Sequence, residues 1–154
     1  MTNITIADAG ADVATICASL LDALPSWFGI ADANAGYVAA AEANETLVAT
    51  RGDEPVGLLT LVHHTPYASE IHLMAVRPEL HRAGVGRALV NEAEARLRGR
   101  GVRFLQVKTL DASHPDEGYA ATRAFYLAMG FTPLEVFPDL WDPENPALQL
   151  VKAL

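Results

Sequence analysis

The chain has 154 residues, 51% of them hydrophobic and 19% charged, which suits one compact domain and excludes a disordered polymer. Its 19 acidic side chains exceed its 11 lysines and arginines, for a formal net charge of −8. From the length and composition we predict one domain over residues 1–154. Because an acidic surface repels phosphate backbones, we predict no nucleic-acid partner.

Cysteine content and the first residues indicate where the protein works. Cys17 is the single cysteine, which excludes a disulfide framework and a cysteine-based zinc site. Residues 1–24 carry no lysine or arginine, unlike a signal peptide, and no apolar run approaches the ~18 residues that span a bilayer. His63 and His64 adjoin on a predicted strand and point to opposite faces, so they do not chelate one metal. We therefore expect a cytoplasmic protein with no metal site and no membrane partner.

In the first half of the chain, hydrophobic periodicity predicts two helices and four strands. Alternating residues predict a strand over residues 3–8, and apolar positions at helical spacing predict a helix over residues 10–24. Cys17 belongs to the apolar stripe of that helix, so we expect a buried thiol. An alanine-rich stretch predicts a second helix over residues 36–44. Three strand-like runs separated by turns favour an antiparallel meander over residues 45–51, 56–64 and 69–76.

The second half of the chain alternates between helical and strand periodicity. The pair Arg77-Pro78 ends the meander. The pattern then predicts a helix, a strand, a helix and two final strands over residues 85–99, 102–110, 119–129, 131–137 and 147–151. A loop containing three prolines, residues 138–146, separates the last two strands. This order predicts an α/β fold with a mixed, mostly antiparallel sheet of six to seven strands and helices on both faces.

A glycine turn, Gly84-Val85-Gly86, joins a predicted strand to a predicted helix. The N–H groups at a helix start lack intrahelical partners, and glycines let a phosphate approach them closely. Arg82 and Arg87 flank the turn and add positive charge. A dinucleotide motif is excluded because Leu89 stands where its third glycine would be, and no ATP-binding Gly-Lys-Ser/Thr occurs. By itself the turn fits either a phosphate site or a tight turn without a ligand.

Two motifs in this context resemble those of the GNAT superfamily of N-acetyltransferases. Within residues 70–97, the glycine turn matches the family's Gln/Arg-x-x-Gly-x-Gly/Ala pattern, with His81 in the place of Gln or Arg. Residues 126–131 resemble the family's Tyr-x-x-x-Gly-Phe helix end, with Tyr119 where the family often has Asn. The order of elements also matches over nearly the whole chain, so the resemblance implies the GNAT acyl-CoA acyltransferase fold.

The same resemblance implies that acetyl-CoA is the cosubstrate. In the family, a bulge splays the strand before the glycine turn from the next strand and frees backbone amides for the thioester and pantetheine. By this resemblance the cofactor-binding residues are Met74, Ala75, Val76, His81, Arg82, Ala83, Gly84, Val85, Gly86, Arg87, Tyr119 and Arg123.

Acetyl transfer to an amine requires a base, because an alkyl ammonium with a pKa around 10.4 must lose a proton before it attacks. Strand alternation predicts that Glu70, His72 and Met74 share one face. In the histone-acetylating branch of the family the base is a glutamate at the corresponding place, so the resemblance favours Glu70. His72 is the alternative, since an unperturbed imidazole titrates near ~6.5. Either residue could act through a water, and an exposed structural role for Glu70 also fits the pattern.

Tyr126 is the predicted general acid that protonates the departing thiolate. A well-placed phenol of pKa ~10 can give its proton to a thiolate of conjugate pKa ~8.5. A core aromatic on an amphipathic helix is the other interpretation of a helical tyrosine. The resemblance to the family's helix-end motif favours catalysis.

Aromatic residues outside the motifs predict where the acceptor binds. Trp27, Phe28, Tyr37 and the segment 137–141 could wall an apolar pocket beside the thioester, or form core or dimer contacts. The sequence thus predicts an N-acetyltransferase acting by direct attack in a ternary complex on a primary amine of a small molecule or peptide. A homodimer is considered as its assembly. The alternative is a non-catalytic acyl-CoA-binding or regulatory module on the same fold.

Overall fold

Residues 3–154, the part of the chain that this computed structural model describes, contain a seven-stranded sheet. Its spatial order is β1-β2-β3-β4-β5-β7-β6. The strands are β1 (Ile4–Asp8), β2 (Glu45–Arg51), β3 (Glu54–Thr65), β4 (Ala68–Val76), β5 (Phe104–Leu110), β6 (Thr132–Asp142) and β7 (Asn145–Ala153). Only β4 and β5 pair in parallel; the other neighbours are antiparallel. The predicted mixed, mostly antiparallel sheet is therefore confirmed.

Four helices pack on the two faces of this sheet, as predicted. They are α1 (Val13–Asp22), α2 (Ala31–Ala43), α3 (Val85–Gly99) and α4 (Glu117–Ala128), and a short 3-10 turn, Pro78–Leu80, precedes α3. One core joins α1 and α2 to one face, and a second core joins α3 and α4 to the other. Cys17 lies fully buried in the first core, and burial raises the pKa of its thiol to about 11.

The element order agrees with the prediction, whereas one predicted loop is wrong. Most of residues 138–146 are strand, because β6 continues to Asp142 and β7 begins at Asn145. Pro138, Pro143 and Pro146 misled the interpretation, since proline interrupts a central strand. β6 is an edge strand, where a residue without an N–H costs little on the unpaired side.

β4 changes character at His72, where the strand carries an extra residue. Leu61 of β3 pairs with Ile71 and Thr60 pairs with Leu73, so His72 has no cross-strand partner in β3. Pairing with β5 runs from Ala68 to Ile71 and stops there. β4 and β5 thus separate beyond the bulge, and a gap opens between them.

The bulge also corrects the predicted faces of β4. Ile71 belongs to the core under α3 and α4, whereas Leu73 and Ala75 belong to the core under α1 and α2. Met74 packs against the α3 and α4 core, on the face opposite Glu70. The prediction that Glu70, His72 and Met74 share one face is therefore wrong, because one inserted residue shifts the alternation of everything after it.

Candidate active site

The gap between β4 and β5 opens into a cleft of about 1010 Å³. Residues 70–76 of β4 form its floor on one side and residues 107–109 of β5 on the other. The glycine turn, α4, the connection from α1 to α2 and the end of β6 complete its walls. The parallel pair of strands that separates is thus the feature around which every other part of the cleft is arranged.

The glycine turn lines one end of this cleft and starts α3. Gly84 has φ of +90°, a backbone conformation that residues other than glycine rarely adopt. A Cβ on Gly86 would lie 3.3 Å from the Phe125 ring and 3.5 Å from the Met74 methyl group. Each glycine therefore has a separate requirement, one for backbone conformation and one for space.

Unpaired amides and arginines make this end of the cleft positive. The first intrahelical bond of α3 runs from the Ala88 N–H to the Gly84 carbonyl at 3.0 Å, which leaves the preceding amides without helical partners. Arg82 and Arg87 also line the cleft. An anion of phosphate size fits this arrangement of a helix N-terminus and two guanidinium groups.

His81 ties the end of β4 to the turn. Its Nε2 donates to the Val76 carbonyl at 2.9 Å, and its ring meets Trp27 edge-on with centroids 5.5 Å apart. The side chain is therefore engaged by protein groups on both sides. Ala83 and Val85 do not line the cleft, and the Val85 side chain is buried in the core.

Backbone amides of β4 face the gap. The Arg77 N–H donates to the Val56 carbonyl of β3 at 2.9 Å. Because backbone groups alternate along a strand, the N–H groups of Met74 and Val76 point the other way, toward the gap left by β5. Across the gap, the Thr109 hydroxyl is buried without a hydrogen-bond partner among the described residues. The gap thus presents two backbone amides to a ligand that enters it.

Glu70 is buried in the cleft wall and held by two basic residues. One of its carboxylate oxygens accepts from His64 Nε2 at 2.7 Å, and the other accepts from Lys108 Nζ at 2.9 Å. The side chain of His64 reaches solvent, whereas that of Glu70 is 11% exposed. Sequence reasoning missed both partners. The short spacing from His64 to Glu70 across a predicted hairpin was the available signal; the approach of Lys108 needs the β4–β5 pairing.

His72 and Tyr126 reach the cleft from β4 and α4. His72 is exposed at the bulge, and its ring centroid lies 5.5 Å from that of Tyr37. Tyr126 is 4% exposed and packs between Phe125 and Phe131. Burial raises the pKa of its phenol, which therefore stays protonated at neutral pH. Tyr126 is thus a core aromatic residue that also lines the cleft.

The two remaining predicted residues of α4 have protein partners of their own. Tyr119 donates its hydroxyl to the Trp27 carbonyl at 3.0 Å, and burial raises the pKa of its phenol to about 12. Arg123 donates to the Leu110 carbonyl at 2.6 Å and does not line the cleft. Tyr119 thus ties the α1–α2 connection to α4, and Arg123 ties α4 to the end of β5.

Most of the predicted aromatic residues line the cleft, whereas Phe137 does not. Trp27, Phe28 and Tyr37 line it together with Leu140 and Trp141 of β6.

Among residues 3–154 no helix is long and apolar enough to cross a membrane. The described residues also contain no group of three or more His, Cys, Asp or Glu side chains placed to hold a metal ion.

A family model described as "Acetyltransferase (GNAT) domain" matches residues 42–133, more than half of the chain. The chain therefore belongs to the GNAT family of acetyltransferases. The matched region contains the bulged strand, the glycine turn and Tyr126, so the family assignment and the cleft coincide. No curated protein gives a significant match.

Solved structures with the same fold cover almost the whole chain. A protein assigned to the GNAT acetyltransferases from Desulfovibrio desulfuricans has 18% identity and a TM-score of 0.84, over 98% of this chain and 99% of that one. The ribosomal-protein-S18-alanine N-acetyltransferase from Escherichia coli has 17% identity and a TM-score of 0.78, over 98% and 94%. A GNAT acetyltransferase from Elizabethkingia anophelis with acetyl-CoA bound has 19% identity and a TM-score of 0.73, over 99% of each chain. At these identities the likeness establishes the fold.

Proposed function

We propose that the chain is a single-domain, cytoplasmic N-acetyltransferase that moves the acetyl group of acetyl-CoA to a primary amine by direct attack in a ternary complex. The observation that carries the proposal is the separation of β4 from β5 beside the glycine turn. A homodimer is part of the proposal as its assembly.

The described residues fit acetyl-CoA from its pyrophosphate to its thioester. The start of α3, with Arg82 and Arg87, would hold the pyrophosphate, and Gly86 keeps that surface free of a side chain. In the gap, the amides of Met74 and Val76 would bind the amide-containing arm. Acetyl-CoA supplies the activated acyl group, and the chain supplies orientation and proton transfer.

His72 is our proposed base, acting directly or through a water. Its ring is exposed within the cleft at the bulge, next to the free amides of β4. Glu70 is less free to take a proton, because both of its carboxylate oxygens already accept hydrogen bonds. We therefore assign Glu70 to holding negative charge in the cleft wall. The two assignments are separated by the pH profile of kcat. Its acidic limb, where protonation of the base abolishes activity, should vanish in His72→Gln and persist in Glu70→Gln.

Tyr126 is our proposed proton donor to the leaving thiolate. Its raised pKa keeps the proton available, and the residue lines the cleft. Tyr126→Phe should lower kcat by about 10²-fold or more while acetyl-CoA affinity is unchanged. A non-catalytic binding module predicts instead that acetyl-CoA binds without thiol release in the presence of any amine.

Calorimetric titration with acetyl-CoA tests the binding site. Gly86→Val should abolish binding, because its side chain would enter the space between Phe125 and Met74. Gly36→Val is the matched control, since a Cβ at Gly36 meets nothing within 4 Å. A folded wild-type protein that does not bind acetyl-CoA would refute the proposal. Equal binding by both variants would place the cofactor elsewhere.

A further inference from the structure

We propose that the acceptor is a primary monoamine carried on an aromatic or similarly apolar body without other charged groups. The inference rests on the proposed N-acetyltransferase function and names the substrate class for the same cleft. It follows from the aromatic wall, defined here as Trp27, Phe28, Tyr37, Leu140 and Trp141, and from the charges beside it.

The aromatic wall leads directly to the point where β4 leaves β5. Phe28 and Tyr37 meet edge-on with ring centroids 5.6 Å apart, and Tyr37 in turn meets His72 at 5.5 Å. His72 is the bulged residue, so the wall ends beside the free amides of β4. A flat apolar group lying on this wall would therefore place an attached amine near the proposed base.

On the β6 side, the wall is exposed and available. Leu140 is 53% exposed and Trp141 is 46% exposed, and both line the cleft. Large apolar side chains are left in water at a cost, and contact with an apolar ligand would remove that surface from solvent. The β6 part of the aromatic wall thus offers apolar surface to a ligand in the cleft.

The Trp27 side of the wall is fixed before any ligand binds. The Tyr119 hydroxyl holds the Trp27 carbonyl at 3.0 Å, and the indole lies where a Cβ on Gly118 would approach within 2.9 Å. The edge of His81 contacts the same ring. A surface held from three directions binds a ligand without first being ordered, which favours a rigid, flat partner.

The charges of the cleft exclude two other classes of acceptor. Among the described residues that line the cleft, Glu70 is the one carboxylate, and Lys108 already neutralises it. A polyamine or other polycation would bring ammonium groups that find no counter-charge. An amino acid would bring a carboxylate, which needs a cation beside the aromatic wall. Lys108 is already bound to Glu70, and Arg82 and Arg87 lie at the glycine turn, where we place the pyrophosphate. A monoamine on an otherwise uncharged apolar body brings the fewest groups that need a counter-charge.

Steady-state kinetics at saturating acetyl-CoA, followed by thiol release, test the inference with four amines. We expect kcat/KM for 2-phenylethylamine to exceed that for propylamine, spermidine and phenylalanine by at least about tenfold. Trp141→Ala should lower the value for 2-phenylethylamine by about tenfold and leave that for propylamine unchanged. Leu134→Ala is the matched control on the same strand, because Leu134 is 61% exposed and lies outside the cleft.

The outcomes separate this inference from the proposed function. Preference for spermidine or phenylalanine, or equal loss for all amines in both Trp141→Ala and Leu134→Ala, would overturn the aromatic acceptor while leaving the N-acetyltransferase in place. Acetyl-CoA binding without turnover of 2-phenylethylamine would also overturn the aromatic acceptor, whereas loss of acetyl-CoA binding itself would refute the proposed function. Leu140→Ala, a smaller truncation on the same wall, should show the same selective loss if Trp141→Ala fails to fold.

Discussion

Two buried carboxylates, one on a helix and one on a strand, bind similar sets of basic side chains. Glu94 of α3 is 3% exposed and binds Lys152 of β7 at 2.9 Å and Arg98 at 3.2 Å. Glu70 of β4 is 8% exposed and binds Lys108 and His64. Each carboxylate is thus paired with one lysine and one further basic side chain.

The difference lies in what surrounds each group. Lys152 also donates to the Met129 carbonyl at 2.7 Å, so the Glu94 centre joins α3, β7 and the end of α4 in a closed junction. The Glu70 centre borders the cleft and reaches solvent through His64. Similar ion pairs therefore differ in role. The Glu94 pair is enclosed by packing and stabilises the fold, whereas the Glu70 pair borders the cleft where β4 and β5 separate.

The largest expected effect breaks the closed centre. Glu94→Ala leaves the partly buried Lys152 ammonium without its counter-charge, and we expect a loss of about 3 kcal/mol in the free energy of unfolding. Urea denaturation measures it. The control is Glu92→Ala, which removes an exposed i,i+4 pair with Arg96 and should cost at most about 0.5 kcal/mol. Equal costs for the two variants would show that closure around Glu94 has no energetic weight.

A smaller effect is expected at the open centre, and on activity instead of stability. Glu70→Gln keeps the shape of the side chain but removes its charge, and we expect kcat to fall about tenfold with acetyl-CoA affinity unchanged. The amide can still accept from Lys108, so the unfolding free energy should change less than in Glu94→Ala. A Glu70→Gln enzyme with full activity and a large loss of stability would reverse the comparison.

A neutral bond on the cleft wall gives a finer test. Tyr119→Phe removes the hydrogen bond to the Trp27 carbonyl, and we expect a loss of about 1 kcal/mol in the free energy of unfolding. The freed α1–α2 connection should also raise KM for the amine more than it changes KM for acetyl-CoA. Tyr67→Phe, at a tyrosine that is 60% exposed, is the control. Weaker acetyl-CoA binding alone would assign Tyr119 to the cofactor instead.

The smallest effect concerns a carboxylate nearer the surface. The Arg100 guanidinium and His63 hold the pKa of Glu45 down to about 2 from an ordinary 4.5. A depressed carboxylate pKa stabilises the fold above the unfolded value, and this contribution is lost as pH falls from about 4.5 to about 2. Glu45→Gln should flatten the acid limb of a stability–pH curve in that window. Glu42→Gln, at an exposed glutamate, should leave the limb unchanged.

Local patterns predicted the parts of this molecule that depend on neighbours in the chain. Periodicity predicted the order of strands and helices, and the glycine turn indicated where α3 starts, because both depend on a few consecutive residues. The predicted β6 was too short because Pro138 obscures a strand whose edge position tolerates it. Whether a strand lies at an edge is a property of the whole sheet.

The interior of the candidate site depended on pairing that the sequence does not display. The extra residue at His72 is defined only against β3, and it reversed the face assigned to Met74. Lys108 meets Glu70 across 38 positions of chain, through strands that pair in parallel. Such contacts follow from register, which a single sequence leaves open wherever a bulge is allowed.

The burial of Cys17 has a practical consequence for every kinetic experiment proposed above. A thiol that is fully buried, with its pKa raised to about 11, is almost wholly protonated near neutral pH. Aromatic disulfide reagents react with thiolates that they can reach, and among residues 3–154 the sole cysteine is shielded. The colour that such a reagent develops in the native protein therefore reports free coenzyme A alone, and a slow increase in the enzyme-only blank would signal unfolding.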